Sequence, residues 1–145
     1  MTIASILSRQ VDTVGSLETA RTAAQRMLQR NVGSLVVLDR SRRPVGIVTD
    51  RDLTLRVLAL GRDGSLVPVG EVMTPDPRTV RDGASIVACL DIMRTVGARR
   101  LPVVDAQDAI VGVVSIDDIL GRLAEEARLI GTVLAQESPG ALHVT

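Results

Sequence analysis

Apolar and polar positions alternate along this chain in two recurring rhythms. Leu17, Ala20, Ala24, Met27 and Leu28 recur at helical spacing, as do Ile86, Cys89, Leu90 and Met93, and each set predicts an amphipathic helix. Ser16 and Asp82 precede these runs and are residue types that cap helix N-termini. Two short apolar runs follow, LVVLD and LPVVD, which read as buried strands ended by the polar turns RSRR and AQDA. VGIV and VGVV predict the next strands. The stretches DLTLRVLAL and DDILGRLAEEARLIGTVLA then return to helical spacing. With a first strand around Thr13-Val14 and Thr79-Val80, each half reads β-α-β-β-α.

The two halves are copies. A shift of 66 positions superposes Thr13-Val14 on Thr79-Val80, Met27 on Met93, Leu35 on Leu101, Gly46 on Gly112, Asp52 on Asp118 and Arg56 on Arg122, with no gap. A unit of about 60 residues buries only a marginal core alone, so the halves are expected to pack together. The expected fold class is α+β, two β-α-β-β-α repeats arranged as a pseudo-twofold pair. The expected divisions are repeat 1 over 1–61, a connector over 62–70, repeat 2 over 71–127, and a helix end with tail over 128–145.

Composition narrows the function. Seventeen basic and seventeen acidic side chains cancel, which argues against a nucleic-acid binder working by bulk charge. All the basic residues are Arg, a bias that also suits phosphate recognition. The chain has no Phe, Trp or Tyr, so a planar ligand would lie between aliphatic side chains rather than on aromatic rings. No run approaches the roughly 20 apolar residues that span a bilayer, and MTIASILSRQ does not read as a secretory leader. Cys89 is the only cysteine and aligns with Ala23, so it reads as a small core residue in a protein of a reducing cytoplasm. His143 has no second His nearby, and no metal site is expected. No nucleophile-base arrangement stands out, so an enzyme is not expected.

The chemistry concentrates in GIVTDRD and GVVSIDD, which share the form G-x-x-[S/T]-x-x-D. One reading is a capping box, in which the hydroxyl and the carboxylate three residues later satisfy backbone N–H groups. The other is a cradle: the helix start favours phosphate, the carboxylate could accept from ribose hydroxyls, and Gly46 and Gly112 leave room for a ring or sugar. Both can hold together.

With LPVVD, VGIVTDRDL, VGVVSIDDI and EVMTP before the second repeat, the chain resembles a tandem cystathionine β-synthase (CBS) domain pair, or Bateman module, from about Ile3 to Leu123. The resemblance implies a stand-alone regulatory module that takes an adenosine-containing nucleotide (AMP, ADP or ATP) between the repeats and modulates a partner protein. S-adenosylmethionine ranks behind these nucleotides. Basic residues before the strand reach ligand phosphates in such modules, and here that pair is Gly33-Ser34 in one repeat but Arg99-Arg100 in the other. The implied nucleotide site is Arg99, Arg100, Ser115 and Asp118, closed by Thr13 from the opposite repeat. A weaker second site is Thr49, Asp52 and Thr79. The last helix outlasts its counterpart and carries Ile119, Leu120, Leu123, Ala127, Ile130, Val133 and Leu134 at helical spacing, which predicts a homodimer. The competing expectation is a non-catalytic interaction scaffold with vestigial clefts.

Overall fold

The computed structural model describes residues 1–136. Its elements are β1 (Thr13–Gly15), α1 (Ala20–Arg30), β2 (Ser34–Leu38), β3 (Pro44–Thr49), α2 (Asp50–Leu53), β4 (Thr74–Pro75), β5 (Val80–Arg81), α3 (Ile86–Val96), β6 (Arg100–Val104), β7 (Ile110–Ser115) and α4 (Ile116–Gln136). A π-helical turn over Thr54–Leu58 continues α2, and 3₁₀ turns cover Ile3–Ser5 and Val69–Glu71. The β-α-β-β-α order holds in both repeats.

Each α1-type helix begins three residues later than its sequence suggests. Ser16 and Asp82 do not cap. Their N–H groups donate to the carbonyls of Leu38 and Val104, which prolongs the pairing of β1 with β2 and of β5 with β6. The caps are Thr19 and Ser85, whose hydroxyls accept from the N–H of Thr22 (3.2 Å) and Ala88 (3.0 Å). The later start rotates the buried face of α1 to Ala20, Ala23 and Met27. Leu17 and Leu28, expected inside, are 72% and 82% exposed. In α3, Cys89 and Met93 are buried, with Ile86 and Leu90 packed against them as expected. Asn31 and Gly97 terminate the two helices in the left-handed conformation, at φ 54° and 68°.

One sheet has the order β1-β2-β3-β4 and the other β5-β6-β7. β1 and β5 run parallel to β2 and β6, and each central strand forms an antiparallel hairpin with the next. Ser8 completes the symmetry: it exchanges two backbone hydrogen bonds of 2.9 Å with Val113, on the free edge of β7, just as β4 lies along β3.

The segment ahead of each repeat therefore serves the other one. Ile3 is fully buried among Val80, Cys89, Leu101 and Val114. Val67, Val69 and Val72 join Val14, Met27 and Val37 in the first core. Residues 62–70, expected as a connector, are tied to the entry of α1. Val67 and Gly64 accept from the N–H groups of Ala20 and Arg21 at 2.8 and 3.0 Å.

This exchange accounts for Gly46 and Gly112. A Cβ on Gly46 would collide with Met73 and the Thr74 carbonyl, and one on Gly112 with Leu7 and the Ser8 carbonyl. The expected room for a sugar is taken up by the chain's own edge segments.

Between the sheets, Val36, Leu38 and Ile110 form a small buried seam, with Val11 and Ile47 against it. The hairpin turns meet across it. Ile110 N–H donates to the Arg42 carbonyl at 2.8 Å, and Arg43 Nε donates to the Gln107 carbonyl at 3.3 Å. The polar RSRR turn is exposed and also bridges the repeats.

Candidate functional site

β2 and β6 turn alternate residues to opposite sides. Leu35 and Val37 (or Leu101 and Val103) face the helices, while Val36 and Leu38 face the seam. Beyond the seam, toward the strands' N-terminal ends, the sheets part around a cleft of about 910 Å³. That volume is within the roughly 300–1,000 Å³ usual for small-molecule sites. Its apolar wall is aliphatic throughout and includes Val32, Val36, Ile47, Leu101, Pro102 and Val113, as the aromatic-free composition requires.

Arg100, Ser115 and Asp118 are all on this wall. Arg100 is directly opposite Ser115 in the β6–β7 ladder, and Asp118 follows in the first turn of α4. Ser115 Oγ accepts from the N–H of Asp118 and Asp118 Oδ2 accepts from the N–H of Ser115, both at 3.1 Å. This is the reciprocal capping geometry, with Asp in place of the usual Glu. Asp118 Oδ1 has no hydrogen-bond partner among the described residues, so the carboxylate caps the helix and retains acceptor capacity toward the cleft. The two sequence readings are compatible in this geometry.

The other candidates are placed differently. Thr49 and Asp52 form a complete capping box, at 3.1 and 2.9 Å, but neither is among the residues lining the cleft. Asp52 also approaches Arg56, at 3.9 Å. Thr13 lies in β1, where its carbonyl accepts from Arg26 Nη1 at 2.9 Å, and neither it nor Thr79 lines the cleft. Arg99 points outward with its side chain 79% exposed, 3.9 Å from Asp117. Its carbonyl accepts the Ile116 N–H at 2.8 Å, at the start of α4.

Sequence reasoning missed the segments that precede β1 and β5. Gln10, Asp12, Asp76 and Arg78 are on the cleft wall, and the same 66-residue shift pairs Gln10 with Asp76 and Asp12 with Arg78. The signal was present in that alignment but carried no motif.

Away from the cleft, a bidentate pair joins Arg26 to Glu18 at 2.9 and 3.0 Å, and Glu18 also accepts the Gly15 N–H at 2.7 Å. The Arg26 hydrogen bonds, and then the Gly15 N–H, hold the Glu18 carboxyl below its ordinary range. Cys89 is buried and free, and burial pushes its thiol up. Among the described residues no group of three or more His, Cys, Asp or Glu is placed to hold a metal ion, and no helix is long and apolar enough to cross a membrane. His143 lies outside the described residues.

Two α+β repeats joined around a shared cleft define a paired-repeat module. The CBS domain matches residues 3–59 and again 69–125, and the chain belongs to the CBS domain family. It is 35% identical over 141 residues to hypoxic response protein 1 of Mycobacterium tuberculosis, covering 97% of each chain. A longer relative from Methanopyrus kandleri is 31% identical over 120 residues, and this chain spans 61% of its length. Similar solved structures include ones with adenosine compounds bound. One is the CBS domain protein PAE2072 from Pyrobaculum aerophilum complexed with AMP (29% identity, TM-score 0.69, covering 86% of this chain and 99% of that one). Another is the CBS domain pair of MJ0100 with 5′-methylthioadenosine and S-adenosyl-L-methionine (27% identity, TM-score 0.67, 85% and 98%).

Proposed function

We propose that this chain is a non-catalytic, stand-alone regulatory module that binds an adenosine nucleotide in the inter-repeat cleft and passes the bound state to a partner protein. The observation that supports this most is the convergence of Arg100, Ser115 and Asp118 on one wall of that cleft. Arg100 offers a planar fork to phosphate, and Ser115 stands at the start of a 21-residue helix whose end favours negative charge. Asp118 Oδ1 accepts from ribose, and the aliphatic wall covers the base. AMP bound to one CBS protein, and S-adenosyl-L-methionine with 5′-methylthioadenosine bound to another, support the ligand class.

The cleft is walled by both repeats, so a ligand filling it favours one relative packing of the sheets over another. Transmission to a partner needs that difference in affinity between two states. The exposed Leu120, Leu123, Leu129, Ile130, Val133 and Leu134 of α4 supply an apolar face for a homodimer or the regulated protein. Such a module works in a reducing cytoplasm, where buried Cys89 stays a thiol.

Completed capping boxes at both repeats favour a second reading, a scaffold whose hydroxyl-carboxylate pairs serve helix starts alone. The test uses the chain's lack of Trp and Tyr. A band near 260 nm that co-purifies with nucleic-acid-free protein, and is assigned to an adenine nucleotide by mass spectrometry, is the expected result. A clean spectrum together with no heat on titrating AMP, ADP, ATP or S-adenosylmethionine favours the scaffold.

A further inference from the structure

The two halves of the cleft differ in charge at matching positions. Arg100 matches Ser34, and Arg78 matches Asp12, all four on the cleft wall. Asp12 is already neutralised, since Arg30 Nε donates to its Oδ1 at 2.7 Å. Arg78 and Arg100 have neither a hydrogen-bond acceptor nor a carboxylate within ion-pair distance among the described residues. Val80 pairs in parallel with Val103, and running that register back two residues brings Arg78 level with Leu101, next to Arg100. Two unneutralised guanidinium groups therefore border one half of the cleft. Asp76, whose N–H donates to the Val45 carbonyl, stands on the first-repeat side.

We propose that Arg78 and Arg100 together select a nucleoside di- or triphosphate, held once per chain in the half of the cleft beside α4. This deepens, and rests on, the adenosine-nucleotide reading above. Arg100, across from Ser115, takes the phosphate nearest the ribose that Asp118 holds. Arg78, on the far side of β6 from Ser115, takes the terminal phosphates. A monophosphate ends before the second arginine and leaves it unpaired. S-adenosylmethionine is a net cation, with a sulfonium and an ammonium against one carboxylate and no phosphate chain, so the two arginines favour it less than a di- or triphosphate. The matching half offers Ser34 and a neutralised Asp12, which gives a second phosphate chain no cation.

Calorimetric titration of the full chain with AMP, ADP, ATP and S-adenosylmethionine at one fixed salt concentration tests this. We expect ADP and ATP to bind about tenfold or more tighter than AMP, one per chain. R78Q collapses that ratio toward one, R78K retains part of it, R100Q weakens all three nucleotides, and R40Q, in the hairpin turn, leaves the ratio alone. Arg78 is exposed, and matching thermal melts establish that its variants fold. Equal or tighter AMP binding, an unchanged ratio in R78Q, or tighter S-adenosylmethionine binding overturns the selectivity while sparing the adenosine reading. No binding by any of the four removes that reading as well.

Discussion

Arg100 faces Ser115 across the β6–β7 ladder, while at the matching place in the first repeat Ser34 faces Thr49. One substitution in a duplicated frame thus sets a cleft-lining cation across the ladder from Ser115. Thr49 faces a serine there, and its partner Asp52 approaches Arg56, outside the cleft. The caps themselves are alike in both repeats, so the asymmetry does not arise from helix capping.

Asp118→Asn and Asp52→Asn separate the two roles. Each amide oxygen can still accept the cap N–H, so each variant should lose no more than about 1 kcal/mol in urea denaturation. Only Asp118→Asn should weaken nucleotide binding, by roughly 1.5–3 kcal/mol for a lost charged hydrogen bond. Equal affinity losses in the two variants would place both pairs at ligands.

Gly112→Ala should cost about 1–3 kcal/mol, because its Cβ meets the Ser8 carbonyl and the backbone must move. Hydrogen exchange is the sharper readout. The amides of Ser8 and Val113, now paired at 2.9 Å, should lose protection before those of β6. Gly46→Ala should do the same to β4.

The left-handed helix ends give a paired test. Gly97→Ala, at φ 68°, should destabilise by about 1 kcal/mol, whereas Asn31→Gly, at φ 54°, should be neutral or gain a few tenths. Chemical denaturation midpoints decide it.

Glu18 sets part of the acid limb. Its carboxyl is held low in the folded chain, first by Arg26 and then by the Gly15 N–H. A depressed folded value means its contribution is complete above the unfolded value and is lost as pH falls through the folded one. Glu18→Gln should therefore lower the melting temperature most at neutral pH and flatten its fall on acidification, so that the two chains converge as pH drops. The pair is partly exposed, so the effect should shrink in high salt.

Much of the architecture was legible in the sequence because the duplication doubles each signal. The strands LVVLD and LPVVD and the hydroxyl-carboxylate helix starts stand where their patterns put them. Helix entry was misread at Ser16 and Asp82, since good cap types recur three residues on, at Thr19 and Ser85, and strand pairing decides between them. Leu17 precedes the helix, and Leu28 lies away from its buried Ala20, Ala23 and Met27. The roles of Gly46 and Gly112 were hidden because their neighbours, Met73-Thr74 and Leu7-Ser8, arrive from outside each repeat's own pattern. Of the site, Arg100, Ser115 and Asp118 line the cleft, but periodicity could not reveal that Arg99 faces solvent or that Arg78 borders the same space.

The most direct measurement is a calorimetric titration of the purified chain with adenine nucleotides, alongside Asp118→Asn. Saturable binding of one nucleotide per chain is expected, weakened by about tenfold or more in the variant while its melting temperature nearly holds. Absence of binding up to millimolar nucleotide by a folded chain, or binding that ignores the Asp118 change, would contradict it.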